Sequence, residues 1–192
     1  MRKITDHRWV PRPEAKAVVR SVLQPAIRFE KKDCLDLPPV TYMDREAPLT
    51  PQQKAYYQVL AKQMLIEADG EEVTAVNAAV KLSKLLQIAC GSVYTDTGEV
   101  VDFDVSNRLN VVQEVVEECS NKVLIFVPFS HSIELVRNYL TKNGVSCDVI
   151  NGDVPVAKRT EIVKLFQEQQ NPKVLIIQPQ AASHGLTLTA AD

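Results

Sequence analysis

Three short strand-like runs limit what this chain can fold into: Val-Leu-Ile-Phe-Val at 123–127, Val-Ser-Cys-Asp-Val-Ile at 145–150 and Val-Leu-Ile-Ile at 174–177, the first and third apolar throughout. Helical patterns separate them at about 130–142 and 155–169, the first stopped by Asn143-Gly144 and the second by Asn171-Pro172. Strands that do not alternate apolar with polar residues, joined through helices, indicate a parallel sheet covered on both faces. Upstream, Ser106 is placed to cap a helix whose Leu109, Val112, Val115, Val116 and Cys119 form one apolar stripe. The expected fold class is α/β: a three-layer lobe with a mostly parallel sheet from about residue 106 onward, preceded by a helical and linker segment.

That preceding segment has two textures. Residues 1–49 are charged and broken by Pro11, Pro13, Pro25, Pro38, Pro39 and Pro48. A helix over about 13–28 is expected, with Val18, Val19, Val22, Leu23 and Ile27 on one face and Pro25 bending or ending it. Residues 40–49 suit a strand. Thr50-Pro51-Gln52-Gln53 then reads as a helix start in which Thr50 caps and Gln53 reaches back. This helix is expected to run to about 68, and a second one over about 71–90 to stop at Gly91.

Composition excludes several classes. The chain has 192 residues, 45% of them hydrophobic, enough for one core and an appendage. A formal charge of -2 is not the basic surface of an independent nucleic-acid binder, so any such contact must come from a local patch. Cys34, Cys90, Cys119 and Cys147 lie far apart with no Cys-x-x-Cys pair, which points to separate reduced thiols and an intracellular protein without a metal site. No amino-terminal apolar core marks a signal peptide, and no run nears the roughly 20 apolar residues that cross a bilayer. A soluble cytoplasmic protein is expected.

The sequence lacks Gly-x-x-x-x-Gly-Lys-Ser/Thr, so it has no backbone cradle and lysine for the phosphates of ATP. It also lacks an Asp-Glu pair after an apolar strand to hold magnesium, a Gly-x-Ser-x-Gly elbow, a His-Glu-x-x-His pair and Gly-x-Gly-x-x-Gly. No catalytic residue is assigned. What remains are loops at the carboxyl ends of strands, where open α/β sheets bind ligands. Ser130, His131 and Ser132 open a helix whose first amides face any phosphate placed there. Gly152 follows the second run. Arg159 either braces a loop or solvates a helix face. Ala181, Ser183 and Gly185 are small enough to let one backbone approach another, and Ser183 and His184 carry side-chain donors.

Taken in order, VLIFVPFSHSIELVRNYL at 123–140, INGDVPVAKRTEIVKLF at 150–166 and KVLIIQPQAASHGLTLTAAD at 173–192 resemble the second motor lobe of Swi/Snf-related helicase-like ATPases of superfamily 2, in their phage and bacterial version. The first segment is similar to the family's motif IV and the last to its motif V. Between them Gly152, Arg159 and Phe166 keep the family's spacing of glycine, arginine and aromatic. DCLDLPPVTYMDREAPLTPQQKAYYQVL at 33–60 resembles the stretch joining the two lobes, and KLSKLLQIACG at 81–91 the helix before the second sheet. Many relatives have Ser-Thr where this chain has Gln178-Pro179, and Asn or Asp where it has Thr187.

The resemblance implies a RecA-like lobe at 106–192, a helical lead-in at 50–105, and the tail of a first lobe with the inter-lobe linker at 1–49. It implies an ATP-dependent DNA helicase or translocase in a bacterial or phage-infected cell, using ATP and Mg in the intact protein and contacting the DNA backbone without regard to sequence. Ser130, His131, Ser132, Gly152, Arg159, Ala181, Ser183 and His184 would face DNA, and Gly185, Thr187 and Asp192 the nucleotide. The partner would be the protein's own first lobe. The chain is expected to stop short of motif VI, whose arginines reach the γ-phosphate, and so to be inactive and bind no cofactor alone. Two other readings stay open: a stand-alone degenerate interaction module, and an α/β transferase or nucleotide-binding enzyme.

Overall fold

The structure is a computed structural model. It describes residues 2–5, 8–27, 29, 40–70, 75–95, 98–182 and 186–191. The chain divides into two compact units, Met1–Asp44 and Arg45–Asp192.

The first unit holds an antiparallel pair, β1 (Arg2–Thr5) and β2 (Arg8–Val10), and one helix, α1 (Ala15–Val22). α1 is shorter than the apolar pattern suggests. Leu23 caps it, because Gln24 directly precedes a proline and is pushed away from helical angles, so Pro25 ends the element instead of bending it. Its apolar stripe is exposed, with Val22 75% accessible. The opening of the linker phrase, residues 33–39, lies outside the described residues.

The second unit begins without a strand. Residues 40–50 have no regular structure, contrary to the strand expected there. A strand needs a neighbour, and among the described residues none pairs with it. α2 (Pro51–Gly70) starts at the expected capping box. The Thr50 amide donates to Gln53 Oε1 at 3.1 Å and the Gln53 amide donates to Thr50 Oγ1 at 3.4 Å. Both side chains are buried, and each is used twice. Gln53 Nε2 donates to the Ile88 carbonyl at 2.7 Å, and the Thr50 hydroxyl to the Asp104 carbonyl at 2.9 Å. One local cap thereby fastens α2 to the end of α3 (Ala75–Cys90) and to the entrance of the lobe.

Gly91 ends α3 as the sequence suggests, at φ +111°. It is also a point of close approach: an added Cβ would lie 2.8 Å from Val105 Cγ1 and 3.1 Å from Leu135 Cδ1. A short antiparallel hairpin follows, β3 (Ser92–Tyr94) and β4 (Val100–Asp102). Phe103 then turns inward, its ring edge-on to Tyr56 with centroids 5.1 Å apart.

α4 (Ser106–Glu118) is capped differently from the expectation for Ser106. Ser106 is its first residue, and its amide donates to Asp104 Oδ1 at 2.9 Å. That bond favours the ionised carboxylate and holds the Asp104 pKa below its usual value.

The sheet is parallel, in the order β5-β7-β6, built from β5 (Val123–Phe126), β6 (Cys147–Ile150) and β7 (Val174–Ile177). α5 (Ser130–Lys142) follows β5 and α6 (Val156–Glu168) follows β6. β7 is central and buried along its whole length. Its Val174 and Ile176 meet Val116, Ile133, Val136 and Leu140 of α4 and α5 on one face. Its Leu175 and Ile177 meet Ile162 and Phe166 of α6 on the other. This explains the unalternating sequence: each face of the middle strand needs an apolar partner. After β7 the chain makes a short 3-10 turn, Pro179–Ala181, and residues 186–191 run back along α6 until Ala191 bridges Lys122 beside β5.

The amino ends of the strands carry lysines that close helix ends. Lys173 Nζ donates to the carbonyls of Cys119, Ser120 and Asn121 at 2.6–3.1 Å, where α4 ends. Lys122 Nζ donates to the Gln169 carbonyl at 2.6 Å, where α6 ends, and lies 4.8 Å from the centre of the Phe166 ring. Desolvation there lowers the Lys122 pKa. No described helix is long and apolar enough to cross a membrane.

Candidate nucleic-acid interface

Parallel register brings Phe126, Ile177 and Ile150 level, so the loops leaving β5, β7 and β6 emerge side by side at one edge. Two side chains tie these loops together. Gln178 directly follows β7. The Gly152 amide donates to its Oε1 at 3.1 Å, and its Nε2 donates to the Pro128 carbonyl at 3.4 Å. Arg159, on the first turn of α6, donates from Nε to the Val154 carbonyl at 2.8 Å, from Nη1 to the Ala181 carbonyl at 2.9 Å, and from Nη2 to the Asn151 carbonyl at 3.0 Å. Of the two readings for Arg159, the geometry is therefore the brace. Asn151 adds an Asx turn, its Oδ1 accepting from the Asp153 amide at 3.2 Å.

Two helix starts open at the same edge. α5 and α6 have Phe129 and Pro155 at their N-cap positions, and neither has a side-chain cap. Their first amides have no partner within the helix, and the helix dipoles make this edge favourable for an anion. Side-chain charge there is modest. Lys158 pairs with Glu161 at 3.0 Å, and the Arg159 guanidinium faces carbonyls. Between α6 and the turn after β7 lies a cleft of about 340 Å³ lined in part by Val156, Arg159, Thr160, Ala181 and Leu186.

The candidates from the sequence take several places. Ser130 is exposed at the start of α5. His131 is engaged, its Nε2 2.6 Å from Asp102 Oδ1 of the β3–β4 hairpin. Ser132 is only 3% exposed, and its buried hydroxyl has no protein partner, so its side chain is not presented at the surface. Gly152, Arg159 and Ala181 belong to the tied loops. Thr187 follows Leu186, which lines the cleft beside Arg159 and Ala181. Its carbonyl accepts from Gln167 Nε2 at 2.8 Å. Gln167 is about 12 Å further along α6 than Arg159 at a 1.5 Å rise per residue. Ser183, His184, Gly185 and Asp192 lie outside the described residues.

Sequence reading missed Gln178, Asn151 and Asp102. Gln178 had a visible signal, a long amide placed directly after a fully buried strand. The Asp102–His131 pair had none, since 29 positions separate the two residues.

A parallel three-stranded sheet covered on both faces, with helices before it, is a RecA-like α/β lobe. Residues 107–192 match the family described as helicase conserved C-terminal domain. The chain is 24% identical over 184 residues to the CHD3-type chromatin-remodeling factor PICKLE of Arabidopsis thaliana, covering 86% of this chain and 13% of that protein. It is also 24% identical over 143 residues to the putative protein p41 of Acyrthosiphon pisum secondary endosymbiont phage 1, covering 70% of this chain and 27% of that protein. Among solved structures, the Sulfolobus solfataricus SWI2/SNF2 ATPase core in complex with dsDNA superimposes with a TM-score of 0.64 at 24% identity, over 92% of this chain and 40% of that one. Residues 107–192 are therefore similar to a helicase conserved C-terminal domain, on a fold shared with the SWI2/SNF2 ATPase core. The chain spans about a tenth of the length of several curated relatives, 9% of Drosophila melanogaster transcription termination factor 2 and 12% of Arabidopsis thaliana CHROMATIN REMODELING 24.

Proposed function

We propose that this chain supplies the second motor lobe of an ATP-dependent DNA translocase or helicase, and that the edge formed by the β5, β6 and β7 loops holds the backbone of one DNA strand. The observation that carries the proposal is the pairing of two uncapped helix starts with loops locked by Gln178 and Arg159. Backbone amides held rigidly at a helix start favour phosphate and ignore base identity. The solved relative with dsDNA supports the same reading.

ATP and magnesium fit this lobe only as shared ligands. The sequence has no Gly-x-x-x-x-Gly-Lys-Ser/Thr cradle for phosphates. The phosphates would rest on the first lobe of the intact protein, and this chain alone would not hydrolyse ATP. Its setting would be the cytoplasm.

Fluorescence anisotropy of the chain with labelled duplexes of unrelated sequence tests the DNA reading. The expected result is similar affinity for all of them, weakening with salt by a log–log slope of about 0.9 per phosphate neutralised. No binding at low salt at about 100 µM protein, near the weak limit of non-specific binding, would sink it and favour an interaction module.

A further inference from the structure

We propose that Gln178 is a positioning residue that makes two separate loops into one binding edge; this rests on the DNA reading above. β7 lies between β5 and β6, so the ends of the outer strands are two strand spacings apart, about 9–10 Å. A group that fixes their distance must sit on the central strand and reach both ways. Gln178 does this with the two ends of one amide: Oε1 accepts from the Gly152 amide at 3.1 Å, and Nε2 donates to the Pro128 carbonyl at 3.4 Å.

The chemistry permits one orientation. With the amide reversed, nitrogen would face the Gly152 N–H and oxygen would face the Pro128 carbonyl, and both contacts would repel. Its base is fixed as well, because the Gln178 amide donates to the Ile150 carbonyl at 2.8 Å and extends the β6–β7 ladder by one step. Gly152 begins the turn into α6, and Pro128 lies two residues before the first residue of α5. The side chain therefore sets the spacing between the two uncapped helix starts. It carries no charge and fixes where the amides stand.

Hydrogen exchange and duplex binding test this on the whole chain. In Gln178→Met, similar in length but without the amide, exchange should rise about tenfold in both 127–132 and 151–156 while β7 keeps its protection. Gln178→Glu keeps the acceptor for Gly152 and loses the donor for Pro128, so only 127–132 should loosen. Unchanged exchange in both variants would overturn the tie. Loosening that spreads through β7 would make Gln178 a general stability residue and overturn the positioning role. Duplex affinity of Gln178→Met should fall about tenfold, with the salt slope unchanged because no charge is removed. Unchanged affinity beside loosened loops would also overturn the positioning role. If the wild-type chain binds no duplex, the DNA reading fails, and exchange alone decides the tie.

Discussion

The two ends of the β5-β7-β6 sheet treat helix termini in opposite ways. At the amino ends, Lys173 closes the end of α4 with three hydrogen bonds and Lys122 reaches the carbonyl that follows α6. At the carboxyl ends, α5 and α6 start with no side-chain cap. The polar side chains at that edge, Gln178 and Arg159, are spent on the loops themselves. One end is built for stability. The other leaves two helix starts without side-chain caps, as the proposed binding edge would require.

Phe166→Ala should have the largest effect and sets the scale. The ring is fully buried beneath β7, and its loss should cost about 3–5 kcal/mol in urea unfolding. Lys173→Met removes the closure of α4 and should cost about 2 kcal/mol with duplex affinity unchanged. A parallel loss of affinity would show that the two ends are not separable. Pro155→Ser tests the open end directly. Pro155 is exposed at φ -59° and ψ 150°, an extended conformation that suits a capping serine. The new cap should add about 0.5–1 kcal/mol of stability and weaken duplex binding by competing for the same amides. Higher stability with unaltered binding would remove α6 from the proposed edge.

Asp104→Ala should have the smallest effect, and it depends on pH. The Ser106 amide lowers the folded pKa of Asp104 below 3.8, so its contribution is present above about pH 4 and is lost as pH falls through the folded pKa. Thermal midpoints of wild type and variant should differ steadily from pH 7 to about 5 and converge in stronger acid. A constant difference down to pH 2 would mean that the carboxylate is not the cap.

The sheet was legible because burial on both faces leaves a plain trace, the unbroken run Val174–Ile177. The Thr50–Gln53 cap was legible because its partners are three residues apart. The strand expected at 40–49 failed for the converse reason: its residue types suit a strand, but pairing depends on a neighbour elsewhere in the chain. The β3–β4 hairpin escaped because its strands are three residues each and half exposed. At the candidate interface, residue types and spacing marked Gly152 and Arg159. They did not mark Gln178, whose contacts follow from β7 inserting between two strands that precede it in sequence.

Gly91 has a mechanical consequence. With no room for a methyl group between it, Val105 and Leu135, the end of α3 sits against the base of α4 and the flank of α5. The Gln53–Ile88 and Thr50–Asp104 bonds pin the start of α2 to the same spot. The start of α2, the end of α3, the base of α4 and the flank of α5 are thus fastened together at one place, so a bulkier residue at Gly91 would have to displace all four at once.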